Sequence, residues 1–172
     1  MKTSLKDLIK RVEEFGKVKA QAGWFESARY DDNTPVASVA MWQEYGTSRI
    51  PPRPFVAPTV EEKREEWERT ISEGAKAVAK GTHTAEQVMT VVAQQAAADI
   101  RVAISQVRAP ELSQVTLLLR QWRQEGMEIT GRTVYEAIRA VQEGTRAEGV
   151  STQPLNDTGH MIATLTGIAV KK

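Results

Sequence analysis

The residues with the strongest chemical suggestion are Asp157, Thr158 and Gly159. Aspartic proteases use this tripeptide to hold two carboxylates against one water and one shared proton. That chemistry asks for an apolar strand running into the aspartate and a long sheet after it. Here Asn156 precedes Asp157, and only the short run to Lys172 follows. The same residues fit a second reading, in which the Asp157 carboxylate caps a short helix and Gly159 relieves crowding. The two imidazoles, His83 and His160, have no partner at metal-ligand spacing, so both read as surface or cap residues and no metal site is expected. The absence of cysteine excludes disulfides, thiolate zinc sites and cysteine nucleophiles. No glycine-rich dinucleotide fingerprint, P-loop or nucleophile elbow occurs. No catalytic residue is assigned and no cofactor is expected. A hydrolase built on Asp157 is the enzymatic alternative.

Composition narrows the classes further. A chain of 172 residues is one domain by length, able to bury roughly 70% of its unfolded surface. Its 23 basic and 22 acidic residues give a net charge of +1, so no global field draws it to nucleic acid or anionic lipid. No apolar run approaches the length of a membrane span, and the amphipathic start MKTSLKDLIKRVEE does not read as a signal peptide. A soluble protein made in the cytoplasm is expected. Trp24, Trp42, Trp67 and Trp122 fall on separate elements and fit core or interface anchors better than a base-stacking platform.

The elements that must position these residues follow from periodicity. Ser4 with Asp7 starts an amphipathic helix carrying Leu5, Leu8, Ile9, Val12 and Phe15, which stops at Gly16. From Lys17 to Ser27 the period becomes two, with Val18, Ala20, Ala22 and Trp24 on one side of a strand. Thr34-Pro35 opens a helix to Tyr45 that is apolar nearly all round and must be covered on several sides. RPFVAPT reads as a second strand, followed by a Thr59/Glu62 capping box and a mostly solvent-facing helix that ends at Gly81. Thr84 with Gln87 opens the longest helix, to about Val107, whose seam Met89, Ala93, Ala96, Ile100, Ala103 and Val107 permits close packing. Ser113 caps a short helix through Leu117, Leu118, Leu119 and Trp122. Residues 121–153 read as an inserted, partly mobile excursion around one helix, Thr133 to Gln142, begun by a Thr133/Glu136 capping box. A turn from Leu155 to Gly159, a short helix HMIATL and a closing strand GIAVKK complete the chain.

One stretch organises the rest: Trp42 to Pro58, WQEYGTSRIPPRPFVAP, which holds four of the seven prolines. Proline fixes its own φ and pushes the preceding residue out of the helical region, so Ile50, Pro51, Arg53 and Ala57 should be extended. Gly46 falls where a left-handed helix end is cheapest. The stretch reads as a helix stop and a stiff arm. Such an arm can fit a neighbour through Phe55 and Arg53, or serve as a fixed internal connection with Phe55 in its own core.

Three separated segments, VASVAMWQEYGTSRIPPRPF, APELSQVTLLLR and QPLNDTGHMIATLTGIAV, resemble in order the tail-completion, head-tail joining proteins of long-tailed bacteriophages, which are minor tail or neck components. The family's Asn-Glu-Phe-Gly-Thr signature falls on Gln43, Glu44, Tyr45, Gly46 and Thr47, with Gln43 and Tyr45 as departures. Its Pro-Pro-Arg-Pro-Phe arm falls on Pro51, Pro52, Arg53, Pro54 and Phe55. The serine-led helix ending in arginine spans Leu112 to Arg120, and the Pro-Leu-x-Asp-Thr-Gly motif falls on Pro154 to Gly159. The resemblance implies an α+β subunit with a small, mostly antiparallel sheet packed against several helices and a helical insertion near the C-terminal third. It implies a non-enzymatic virion protein of the neck and tail: a homo-oligomeric ring of six or twelve copies that joins the tail tube or its terminator to the head connector. DNA is then cargo through the lumen, with a DNA-contacting neck protein as a further alternative, and no membrane is involved. Closing a ring demands a fixed contact angle, which a proline-stiffened arm supplies with little ordering entropy left to lose. The expected contact residues are Tyr45, Gly46, Ile50, Pro51, Pro52, Arg53, Pro54 and Phe55, with Phe55 as anchor and Arg53 as its charged partner seeker.

Overall fold

The longest apolar seam of the sequence becomes the axis on which the other elements pack. The computed structural model describes residues 4–172 and runs α1 (Leu5–Gly16), β1 (Val18–Gly23), α2 (Val36–Tyr45), α3 (Val56–Lys80), α4 (Ala85–Gln106), α5 (Gln114–Gln124), α6 (Gly131–Gln142), α7 (His160–Thr164) and β2 (Thr166–Lys171). The architecture is α+β. Helix α4 starts at the expected capping box, in which Thr84 accepts from the Gln87 backbone and the Gln87 side chain accepts from Thr84 N–H. Met89, Ala93 and Ile100 of its seam are buried, and Ala96, Ala103 and Val107 half-buried.

The first and last strands of the chain pair antiparallel, from Val18 opposite Lys171 to Gly23 opposite Thr166, and lie on α4. Contact there is close because β2 carries Gly167: a Cβ at that position would come within 2.1 Å of the Ala93 carbonyl oxygen. Any other residue would lift the sheet off the helix. Helix α3 packs along α4 and α1, and is tied to α4 by Trp67 Nε1 donating to Asp99 at 2.8 Å. Beneath α2, α4 and α7 a shared core gathers Val36, Phe55, Ile100, Ile104, Leu155 and Leu165.

Three expectations are corrected. The segment RPFVAPT is not a strand, because Val56 already begins α3. Pro58 sits in the first turn, where its missing N–H costs no helical bond, and Thr59 donates its hydroxyl back to the Phe55 carbonyl at 2.6 Å instead of capping. The helix within residues 121–153, α6, packs on α5 and starts earlier than Thr133, because Thr130 and Thr133, not Thr133 and Glu136, form the capping box. Asp157 does not cap α7. Gly159, left-handed at φ 75°, occupies that N-cap, and the Asp157 carboxylate turns toward two arginines. No helix among the described residues is long and apolar enough to cross a membrane.

Candidate functional site

The arm begins where α2 ends. Gly46 adopts φ 75°, and a Cβ there would lie 2.9 Å from both the Ile50 carbonyl oxygen and the Pro52 nitrogen, so only glycine permits the reversal. The loop then closes on itself: Thr47 N–H donates to the Ile50 carbonyl at 2.8 Å, and the Thr47 hydroxyl accepts from Arg49 and Ile50 N–H at 3.2 and 3.0 Å. Arg53 N–H returns to the Gln43 carbonyl at 2.6 Å, stitching the arm to the last turn of α2.

Two buried charges fix the inner side of this arm. The Glu44 carboxylate accepts from Phe55 and Val56 N–H through Oε2 (2.8 and 2.9 Å) and from Ala57 N–H through Oε1 (2.9 Å). These are N–H groups at the start of α3 that have no partner within the helix, and the helix dipole favours a negative charge there. Glu44 can therefore be buried with only 7% of its surface exposed. Arg53 is 4% exposed and spreads its guanidinium over a fork of acceptors: Nε to the Pro110 carbonyl at 2.7 Å, Nη2 to the Glu111 carbonyl at 3.0 Å and Nη1 to Gln43 Oε1 at 3.2 Å. Burial pushes its pKa below the ordinary arginine value. Lysine, a point charge, could not serve three acceptors set in a plane.

A second arginine repeats the device. Arg120 at the inner face of α5 donates through Nη1 to the Ser151 and Gln153 carbonyls at 2.8 and 2.9 Å and through Nη2 to that of Pro154 at 3.2 Å, while Nε pairs with Asp157 at 3.4 Å. Arg123 holds the other Asp157 oxygen. Burial lowers the pKa of Arg120 in spite of the Asp157 charge, which acts in the opposite sense. The three sequence segments are thus locked in series: Arg53 of the first holds the backbone entering the second, and Arg120 of the second holds the backbone of the third.

With its inner side locked, the arm offers its outer side. Tyr45 is 76% exposed, Met41 and Trp42 stand out from the same helix end, and Pro51, Pro52 and Pro54 are exposed. Beside them lies an open groove of about 640 Å³ lined by Tyr45, Val56, Ala57, Val60 and Arg64. Gly46 and Ile50 are half-buried.

The expectation for Phe55 and Arg53 is corrected. Phe55 is 1% exposed, meeting Trp24 edge to face with ring centroids 6.1 Å apart, and Trp24 Nε1 in turn donates to the Met161 carbonyl at 2.7 Å. It plugs the subunit's own core, and Arg53 beside it is spent on internal carbonyls, so neither can anchor a neighbour. The remaining residues are placed as follows. Leu112 is half-buried, Thr158 is exposed and accepts from His160 N–H at 3.3 Å, and the Asp157 oxygens both face guanidinium groups rather than a second carboxylate. His160 Nε2 donates to the Arg29 carbonyl, 2.8 Å away, and the ring rests against Tyr30, whose pKa is raised by burial and then by Asp157 and Asp32. Among the described residues no three His, Asp or Glu side chains converge on a cation-sized site. Sequence reading placed Glu44 in the signature but missed its role as acceptor for the start of α3; the signal was a carboxylate on a helix otherwise apolar nearly all round. No family model, curated protein or solved structure matches the chain.

Proposed function

We propose that this chain is a structural subunit of a bacteriophage neck, completing the tail end and joining it to the head-side connector as part of a homo-oligomeric ring. Two things support the reading: the ordered resemblance of the three segments, and an arm whose conformation is fixed from within while its outer side stays free. The second carries it. A contact surface made of Met41, Trp42, Tyr45 and the arm prolines is apolar, and it is held rigid by Gly46, Glu44 and Arg53, so little freedom is lost when a neighbour covers it. A heterologous ring contact needs that rigidity, because the angle between copies decides whether the ring closes. The balanced charge of the chain suits a subunit past which DNA slides without being held.

The test is Tyr45→Asp. Because this side chain is largely solvent-exposed, the substitution should leave stability within about 0.5 kcal/mol. Light scattering with the adjoining tail and connector proteins should then show the wild-type chain in a ring-sized complex and the variant failing to join it. A variant that assembles as the wild type does would overturn the reading.

A further inference from the structure

The sheet presents one face to α4 and the other to solvent. Gly167 faces α4, so by alternation Ile168 and Val170 of β2 and Lys19 and Gln21 of β1 point the other way, and Ile168 is 36% exposed. At the sheet's end Lys172 N–H donates to the Lys17 carbonyl, which sets Lys17 opposite Lys172 with Lys19 one pleat away. Like charges directly opposite each other destabilise a strand pair. The register thus joins lysines from both ends of the sequence into one basic patch, all three exposed and in no ion pair among the described residues. A patch of that kind calls for an anionic partner.

The complement lies on α3. Glu61, Glu65 and Glu68 follow at steps of four and three residues and so form one ridge, again exposed and in no ion pair among the described residues. They rise by about 6 and 4.5 Å along the helix, close to the spacing of about 7 Å from Lys17 to Lys19 and about 5.5 Å across the strands. Glu61 also borders the groove beside Tyr45, to which Val60 adds apolar surface. One surface is therefore apolar with an acidic rim, and the other apolar with a basic rim.

These surfaces cannot meet within one subunit, because α3 and the sheet pack on different sides of α4. Ala93 meets Gly167, whereas Asp99 accepts from Trp67 and Val88 lies against Gly74. Around a helix of 3.6 residues per turn those positions stand about 120° to 140° apart. We infer that the outer sheet face of one copy seats the α3 ridge of the next, with Ile168 and Val170 over the groove beside Tyr45 and the three lysines against Glu61, Glu65 and Glu68. Both surfaces belong to outermost layers, so the two subunit bodies lie on opposite sides of the contact. It joins unlike faces at less than a straight angle, and its repetition therefore turns, as a closing ring requires. The inference rests on the ring proposed above and names the surface of the neighbour that covers Tyr45.

Sedimentation velocity of the full chain alone, from micromolar to near-millimolar concentration at low ionic strength, tests this. The wild type should grow past a dimer, because unlike faces leave one free at each end, and added salt should weaken the association. Lys19→Glu with Lys172→Glu, and separately Glu65→Lys with Glu68→Lys, should each weaken it about tenfold. Mixed in equal amounts, the two variants should recover wild-type association, since the reversed sheet face of one meets the reversed ridge of the other and their unreversed faces match as well. Mixing would not rescue a misfolded chain. A wild type that stays monomeric or stops at a dimer would overturn the inference, as would a mixture that associates no better than either variant. Those results leave the ring itself to the Tyr45→Asp test, whereas a Tyr45→Asp subunit that assembles normally removes the ring and this contact together. Self-association unchanged in the lysine variant, with binding to a short DNA duplex lost, would assign the lysines to phosphates and likewise overturn the contact.

Discussion

Glu44→Ala should lower the stability of the protein by about 3–5 kcal/mol, the range for removing one partner of a buried charged arrangement. The loss has an identifiable origin. Three N–H groups at the start of α3 lose their acceptor at once, and each buried donor left unpaired costs about 1–3 kcal/mol, less whatever water recovers through the adjoining groove. The positive end of the α3 dipole also loses its counter-charge. Urea denaturation should show a lower midpoint with an unchanged slope, the sign of a change in stability rather than in the compactness of either state. Amide exchange should accelerate at Phe55, Val56 and Ala57 before it does in α4, because the arm opens there first. A variant with wild-type midpoint would mean that the carboxylate is dispensable to the arm.

Phe55→Ala should cost a comparable 3 to 5 kcal/mol, roughly the range for truncating a buried phenylalanine. The ring is 1% exposed and packs between Trp24 and the shared core, so its removal leaves a cavity that the proline-fixed backbone on one side cannot follow. Trp24 loses its edge-to-face partner and should fluoresce as a more mobile, more solvated indole. The consequence for assembly is informative. If the chain assembles as proposed, Phe55→Ala should impair assembly by weakening the fold, whereas Tyr45→Asp should impair it in a folded subunit. A Phe55→Ala chain of undiminished stability would return this side chain to the surface.

Local rules made some of this architecture legible and could not reach the rest. The Thr84/Gln87 capping box, the Gly81 helix stop and the alternation of Val18, Ala20 and Ala22 each depend on neighbours in sequence, and each appears where local chemistry puts it. The RPFVAPT segment deceived because its extended prolines and β-prone Phe55 and Val56 mimic a strand. What overrides that preference is Glu44, eleven residues upstream, offering its carboxylate to the N–H groups of a helix that can then start at Val56. The roles of Arg53 and Arg120 were equally illegible, since their acceptors are backbone carbonyls dozens of residues away and a carbonyl leaves no mark on the sequence. An arginine beside a phenylalanine in a proline arm reads as an interface pair. Only burial shows that both face inward. Asp157 is the remaining instance: the tripeptide suggested catalysis or a cap, but two guanidinium groups from α5 occupy its oxygens.

Hydroxyl-radical footprinting of the free subunit and of the assembled particle addresses the inside and the outside of the arm together. The predicted pattern has Met41, Trp42 and Tyr45 reactive in the free subunit and protected after assembly, with Phe55 protected in both. Unchanged reactivity of Trp42 and Tyr45 on assembly, or a Phe55 that reacts in the free subunit, would contradict it.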